Sequence, residues 1–204
     1  MKHQLCYNNK RLVIASSNAG KLNEFSALLI PLGIQVVSQA ELGLASVPEL
    51  FSSFLENALA KARHAANMTG LPVLADDSGL CVAALQGSPG VHSARYAGPL
   101  ADDNANNLKL LGALHGCADR RACYVCILVW LRSPHDPMPV VIQQEWHGYI
   151  TETPKGNQGF GYDPYFFIPE LGCTAAQLSL AEKNQLSHRG KALQALLTHI
   201  EKTP

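Results

Sequence analysis

Short apolar runs alternate along the chain with stretches in which apolar residues recur every three or four positions. The run Arg11-Leu12-Val13-Ile14-Ala15-Ser16 predicts a buried strand, residues 17–20 a turn, and Leu22, Phe25, Leu28 and Leu29 the helix after it. Residues 33–37 predict a second strand, followed by polar, irregular chain to Pro48. Ser52 and Ser53, with Glu56 in the first turn, mark a helix start; Leu55, Ala58, Leu59, Ala62, Ala65 and Ala66 carry that helix to a stop at Thr69-Gly70. Its small alanines predict close packing. Residues 71–75 read as the next strand and 79–99 as a segment punctuated by glycine and proline. A helix is predicted over 104–114, and strands over 121–132 and 140–148, joined by a proline-rich loop, read as a hairpin. The C-terminal third carries a glycine-rich loop over 156–164, the apolar Tyr165-Phe166-Phe167-Ile168, a segment over 174–180, and a helix introduced by Ser187 that runs to about residue 200.

Alternation of both element types predicts an α/β fold rather than a bundle or sandwich. With no repeats and no long linker, the chain reads as a single large domain over 1–204 or as two small lobes, and any two lobes must share one sheet or a tight interface. At 204 residues and 47% hydrophobic content it can bury a sizeable core. Sixteen basic residues balance sixteen acidic ones, so the general attraction expected of a nucleic-acid binder is missing and a small-molecule partner is expected. The polar first ten residues do not resemble a signal peptide, and no apolar run approaches the roughly 20 residues of a membrane-spanning helix. A cytoplasmic protein with no membrane partner is expected.

Six cysteines (Cys6, Cys81, Cys117, Cys123, Cys126 and Cys173) are scattered through apolar or loop contexts, which predicts reduced thiols. Cys123-Tyr124-Val125-Cys126 has the spacing of a zinc knuckle. In a strand, however, residues three apart point to opposite faces, and no second pair completes a tetrahedral site, so these read as core cysteines. His64, His92, His115, His135 and His147 show no metal-ligand spacing and read as scattered polar residues.

Leu74-Ala75-Asp76-Asp77-Ser78-Gly79-Leu80 places two carboxylates, a hydroxyl and a glycine after an apolar run. Acids at the end of a strand can hold a hard cation or activate water, although a turn with a cap explains the same residues. Ser16-Ser17-Asn18-Ala19-Gly20-Lys21 joins a strand to a helix, where free N–H groups and Lys21 favour an anion; an N-cap and turn is the plain alternative. Glu49 is a further candidate metal carboxylate, whereas Glu56 reads as a capping-box acid. Lys61 lies about one turn beyond Glu56 and Asn57, either facing the acids or as a solvated lysine. Gly159-Phe160-Gly161-Tyr162-Asp163-Pro164 can stack a flat ring and bond its edge, or form a buried hairpin loop with Tyr162 in the core. Lys183, His188 and Arg189 precede the last helix, where cations oppose the macrodipole and an anionic ligand would account for them.

In their order and spacing these segments resemble the inosine triphosphate pyrophosphatase family, the non-standard purine nucleoside triphosphate pyrophosphatases. Ser16 to Lys21 is similar to the T-G-N-x-x-K motif, and Phe54-Leu55-Glu56-Asn57-Ala58 with Lys61-Ala62 to F-x-E-N-A-x-x-K-A. Asp76-Asp77-Ser78-Gly79-Leu80 and Ser93-Ala94-Arg95-Tyr96 resemble the acidic turn and the S-A-R-Y/F segment. Phe160 to Pro164 matches F-G-Y-D-P, and Ser187-His188-Arg189-Gly190-Lys191-Ala192 resembles S-H-R-x-x-A. The resemblance spans nearly the whole chain.

The resemblance implies an elongated mixed α/β sheet flanked by helices, two lobes with a central substrate cleft, and a homodimer. It implies an enzyme, a hydrolase acting on acid anhydrides, that converts ITP, dITP and XTP to the monophosphate and pyrophosphate with Mg²⁺ and so clears them from the nucleotide pool. Carried over, Ser16, Ser17, Asn18, Ala19, Gly20 and Lys21 would hold the triphosphate, with Lys61 and Lys183 adding positive charge. Asp77 and Glu49 would bind Mg²⁺, with Asp77 also the base for the attacking water. Ser78 would contact the substrate, Phe160 would stack on the purine within the Gly161 and Tyr162 loop, and Asp163, His188 and Arg189 would bond its edge. Against the family pattern, Ser17 replaces a glycine, Phe51 stands where a glycine commonly follows the acid, and Ala83 and Gln86 replace an acid and a glycine. The rival readings are a Maf-like pyrophosphatase for other nucleotides, which the S-H-R motif opposes, and a non-catalytic purine nucleotide sensor, which the intact Lys21, Asp77 and Lys183 oppose.

Overall fold

Seven strands form one mixed sheet in the order β2-β1-β3-β4-β5-β6-β7 in the computed structural model, which describes residues 11–100 and 102–202. Cys6 lies outside the described residues. The chain divides into two compact units, one of residues 1–77, 127–143 and 189–204, the other of 78–126 and 144–188.

In the first unit β1 (Arg11–Ala15) pairs in parallel with β2 (Gln35–Ser38) and with β3 (Val73–Val82), in the register Val13↔Val73, Ile14↔Leu74, Ala15↔Ala75. Parallel pairing requires crossovers, which α1 (Ala19–Leu29) and α2 (Phe54–Thr69) supply. Asn18 starts α1, its side chain accepting from the Lys21 N–H at 3.0 Å. Ser53 starts α2, accepting from the Glu56 N–H at 3.3 Å while donating to the Glu56 carboxylate at 2.6 Å, so Glu56 meets the cap through the Ser53 hydroxyl rather than through the backbone N–H of a full capping box. Gly70 ends α2 at φ 68°, a left-handed C-cap. Ala58, Ala62, Ala65 and Ala66 are fully buried, as the alanine stripe predicts, and Val13, Ile14, Phe25, Val73 and Leu74 complete a solvent-free core. Each buried large side chain there contributes roughly 1.5–3 kcal/mol relative to exposure.

The second unit is built on the continuations of β3, β4 (Arg121–Leu131) and β5 (Val140–Ile150), with β6 (Phe166–Ile168) and β7 (Cys173–Thr174) added antiparallel. Its core gathers Leu80, Val82, Tyr124, Trp146, Tyr162 and Phe166, with Leu110 and Leu114 from α3 (Asp103–Ala113). Strands β4 and β5 are neighbours joined by residues 132–139, as the hairpin reading expects. No described helix is long and apolar enough to cross a membrane.

The structure departs from the sequence pattern in two places. Strand β3 does not end before the acids; it runs on through Asp76, Asp77 and Ser78 to Val82. The aspartates remain in the strand because cationic side chains meet each of them. The helix expected after Ser187 forms as α5 (His188–Lys202), but it is preceded by a short helix that the pattern did not predict, α4 (Leu180–Leu186), with the extended Ser187 at φ −73°, ψ 161° between them.

Candidate active site

Adjacent residues of a strand face opposite ways, so Asp76 and Asp77 meet different partners. Asp76, 1% exposed, accepts from Lys21 Nζ and, at 3.1 Å, from Arg189 Nε. Burial alone would raise its carboxyl, but the charges of Lys21 and Arg189 outweigh it and hold the group far below the usual carboxylate range. Arg189 also binds the buried Glu24 of α1 through Nη1. Two carboxylates and two cations therefore neutralise one another where α1 and α5 begin, and the arginine that the resemblance assigns to the base edge makes two of these ion pairs.

Asp77 meets Lys61 instead. Lys61 Nζ lies 2.8 Å from Asp77 Oδ1 and 3.0 Å from Glu49 Oε1, bridging the two acids. The lysine thus faces the acids rather than solvent. Asp77 is 3% exposed, and its second oxygen, Oδ2, is buried without a hydrogen-bond partner. Burial pushes this carboxyl up to about 6 against the opposing charge of Lys61, and Glu49 adds to the rise. For Lys61, burial works against the ammonium, yet the charges of Asp77 and Glu49 prevail and raise its pKa. An orphaned carboxylate oxygen beside a second carboxylate is the donor set of a hard divalent cation, which normally takes one or two carboxylates and completes its shell with water and phosphate oxygens. Asp77 and Glu49 therefore fit a cation of this class.

Asn57, 1% exposed, was not singled out for a role of its own in the sequence. Its side chain accepts from Phe51 N at 3.1 Å and donates to Phe51 O at 3.2 Å, so α2 anchors the segment that carries Glu49. Among the described residues Gln86, at φ 52°, is the sole non-glycine with positive φ. Ser17 and Phe51 therefore occupy their glycine positions without left-handed strain, and only the Gln86 replacement incurs it.

The second unit holds the other predicted residues. Asp163, 2% exposed, accepts from Lys183 Nζ at 2.5 Å, Phe160 N at 3.0 Å and Tyr124 Oη at 3.2 Å. The Lys183 ammonium also sits 4.7 Å from the centre of the half-buried Phe160 ring. The backbone of Gly161 is fixed from α3, its N–H donating to Asp103 at 2.6 Å and its carbonyl accepting from Asn107 at 2.9 Å. A Cβ at Gly159, where φ is 75°, would collide with the Asp163 carboxylate, so this loop needs glycine there. Tyr162 is a core residue whose hydroxyl donates to Ser93 O at 2.8 Å. His188, 4% exposed, stacks on Tyr124 with centroids 4.8 Å apart and planes 4° from parallel. Ser78 is half-buried on β3.

Predicted residues thus fall into two groups. Ser16 to Lys21, Glu49, Lys61, Asp77 and Arg189 lie in the first unit; Ser78, Phe160 to Asp163, Lys183 and His188 lie in the second. Sequence reading missed Glu24, whose only signal is a carboxylate one turn after Lys21, and Tyr124, which an apolar strand pattern conceals.

A Ham1 family model matches residues 12–199. The chain belongs to the Ham1 family. Among relatives of this Ham1 chain, a dITP/XTP pyrophosphatase of Nitrosomonas europaea is 61% identical over 187 residues, covering 92% of each chain. One of Bordetella pertussis is 55% identical over 199 residues, covering 96% of this chain and 93% of the relative. The structure of a HAM1 protein from Coxiella burnetii superposes with a TM-score of 0.87 at 45% identity, covering 95% of this chain and 99% of that one. The Staphylococcus aureus Ham1 protein gives 0.83 at 42% identity, with 94% and 98% covered. Both the family resemblance and the α/β sheet flanked by helices are borne out, and the motifs carrying the resemblance all lie inside the matched Ham1 span.

Proposed function

We propose that the protein hydrolyses non-standard purine nucleoside triphosphates, ITP, dITP and XTP, to the monophosphate and pyrophosphate with Mg²⁺, as a homodimer in the cytoplasm. Asp77 carries this reading: it is a buried carboxylate with an unpartnered oxygen, raised pKa and a lysine bridge to Glu49, in a chain whose relatives include dITP/XTP pyrophosphatases.

The N-terminal turn of α1, residues 16–21, receives the triphosphate through its backbone N–H groups and the Lys21 charge. Asp76 and Arg189 hold Lys21 and the start of α5 in place from behind. Asp77 and Glu49 would hold the cation, and Mg²⁺ bound there would supply charge neutralisation for the phosphate oxygens and Lewis acidity for water. Asp77 accepts the proton of that water, its second carboxylate oxygen having no hydrogen-bond partner of its own. Lys61 and Lys183 offset charge growing on the leaving pyrophosphate. Ser78, next to the base, contacts the substrate. Phe160 stacks on the purine, with Gly161, Tyr162 and Asp163 shaping its loop, and His188 bonds the purine edge. Donors directed at a 6-oxo group would face another donor in adenine, a mismatch costing about 1–3 kcal/mol.

The test is Mg²⁺-dependent turnover of ITP, dITP and XTP beside ATP, GTP, dTTP and UTP, with both products identified. The expected result is inorganic pyrophosphate plus monophosphate, released fastest from the 6-oxo purines. Preference for dTTP or UTP would point to the Maf-like reading, and tight ITP binding without turnover to a sensor.

A further inference from the structure

Cys123 on β4 and Glu145 and His147 on β5 come together on the sheet surface. Their ligand atoms, one per residue, all lie within 4.8 Å of one another, the one such group of three or more among the described residues. Alternation along β5 puts Glu145 and His147 on one face, with the core residue Trp146 on the other. Cys123 Sγ lies 3.4 Å from the Tyr124 carbonyl and 3.8 Å from Glu145 Oε2, its two possible acceptors, and His147 Nε2 lies 3.3 Å from the same Glu145 oxygen. The His147 side chain is 75% exposed and that of Glu145 43%, so an ion can enter from solvent and water can complete its shell.

We propose that Cys123, Glu145 and His147 form a site for a borderline-soft divalent cation of the Zn²⁺ class. One sulfur, one imidazole nitrogen and one carboxylate oxygen are the donors that Zn²⁺ takes, whereas Mg²⁺ selects oxygen alone. Bond lengths of about 2.0–2.3 Å set tetrahedral ligands roughly 3.3–3.8 Å apart. Two of the three pairs, at 3.8 and 3.3 Å, already have that spacing, and all three ligand atoms lie within 4.8 Å of one another. Binding replaces the Cys123 thiol proton, which leaves to solvent, and both contacts to Glu145 give way to bonds to the ion. Cys81, on the neighbouring strand β3, lies within electrostatic range of Cys123 and Glu145 and adds a second sulfur to the locality. The site uses none of the residues assigned to nucleotide hydrolysis, so the two proposals stand or fall separately.

Co²⁺ titration in excess Mg²⁺ tests it, because a cobalt–thiolate bond gives a charge-transfer absorption that carboxylate or phosphate sites do not. The wild-type protein should develop this band with one equivalent of Co²⁺ and lose it on Zn²⁺ addition. Cys123→Ser should abolish the band. His147→Ala, at an exposed position that leaves the fold intact, should weaken Zn²⁺ binding at least tenfold by calorimetry. Cys117→Ser, outside the cluster, should change neither. A folded wild-type protein without the band, or His147→Ala with undiminished Zn²⁺ affinity, overturns the proposal.

Discussion

Asp77 differs from Asp76 by one position and by everything that position brings. Asp76 has both oxygens engaged by cations, whereas Asp77 keeps one oxygen without a partner. Asp77→Asn is therefore expected to cut kcat for ITP by about 10²–10⁴-fold, the usual contribution of a positioned base, while nucleotide binding persists in calorimetry. A variant with near wild-type kcat would remove the base role. Phe160→Ala should raise KM for ITP roughly ten- to a hundredfold, matching the about 1–3 kcal/mol of a base stacked on an aromatic ring. An unchanged KM in steady-state assays would exclude stacking. At this scale the sequence was informative about the residues proposed to meet the ligand and silent about those behind them. Lys21, Lys61 and Asp77 are legible because a loop, a helix face and an acidic pair have few reasons to carry them. Glu24 is not legible, since its partner Arg189 is 165 residues away along the chain. Replacing it exposes the dependence: Glu24→Gln leaves Arg189 short of one buried counter-charge, with an expected loss of roughly 3 kcal/mol in urea unfolding. A loss below a few tenths of that value would show that Asp76 alone satisfies the arginine.

Elements were predicted well where apolar periodicity was strong, as in β1, α2, β4 and α5, and less well where polar side chains decide where an element stops. An acidic pair ordinarily terminates a strand, but in β3 the partners that keep it extended come from α1, α2 and α5 and leave no local trace. The connection between β4 and β5 is fixed in a similar way. Asp136 accepts from Arg132 N at 3.0 Å, Arg132 Nε at 2.8 Å and Met138 N at 2.9 Å, and Arg63 of α2 donates to the carbonyls of Pro134 and Asp136 at 2.9 and 2.8 Å. Hydrogen bonds from the Arg132 side chain, opposed by burial and aided by backbone donors, hold the Asp136 carboxyl well below its usual range. A depressed folded-state pKa stabilises the fold above the unfolded value of about 3.9, and that contribution disappears as pH falls below it. Urea midpoints should thus depend less steeply on pH between about 4 and 2 in Asp136→Asn than in the wild type. Parallel curves would show that this carboxylate does not couple to folding.

At the scale of the whole molecule, equal numbers of acidic and basic side chains leave no net charge near pH 7. A protein with no net charge lacks colloidal repulsion, so solubility in ammonium sulfate should be lowest near neutrality and rise on both sides. A monotonic solubility curve would contradict that balance. The α/β class and the alternation of elements followed from periodicity, because the buried strands and the alanine face of α2 are written locally. Division into two units did not. Its boundaries fall inside β3, β4, β5 and α5, after Asp77, Cys126, Gln143 and His188, within regular elements rather than in linkers.

Strand pairing between β1 and β3 also has an arithmetic consequence. With Ala15 opposite Ala75, Asp76 falls to Lys21 and Arg189, and Asp77 to Lys61. Inserting or deleting one residue ahead of the pair would exchange their faces, sending the wrong aspartate to each lysine without changing a single side chain. Identity of the proposed general base is therefore a matter of parity: the ladder counts residues, and which aspartate meets Lys61 depends on whether the count is odd or even.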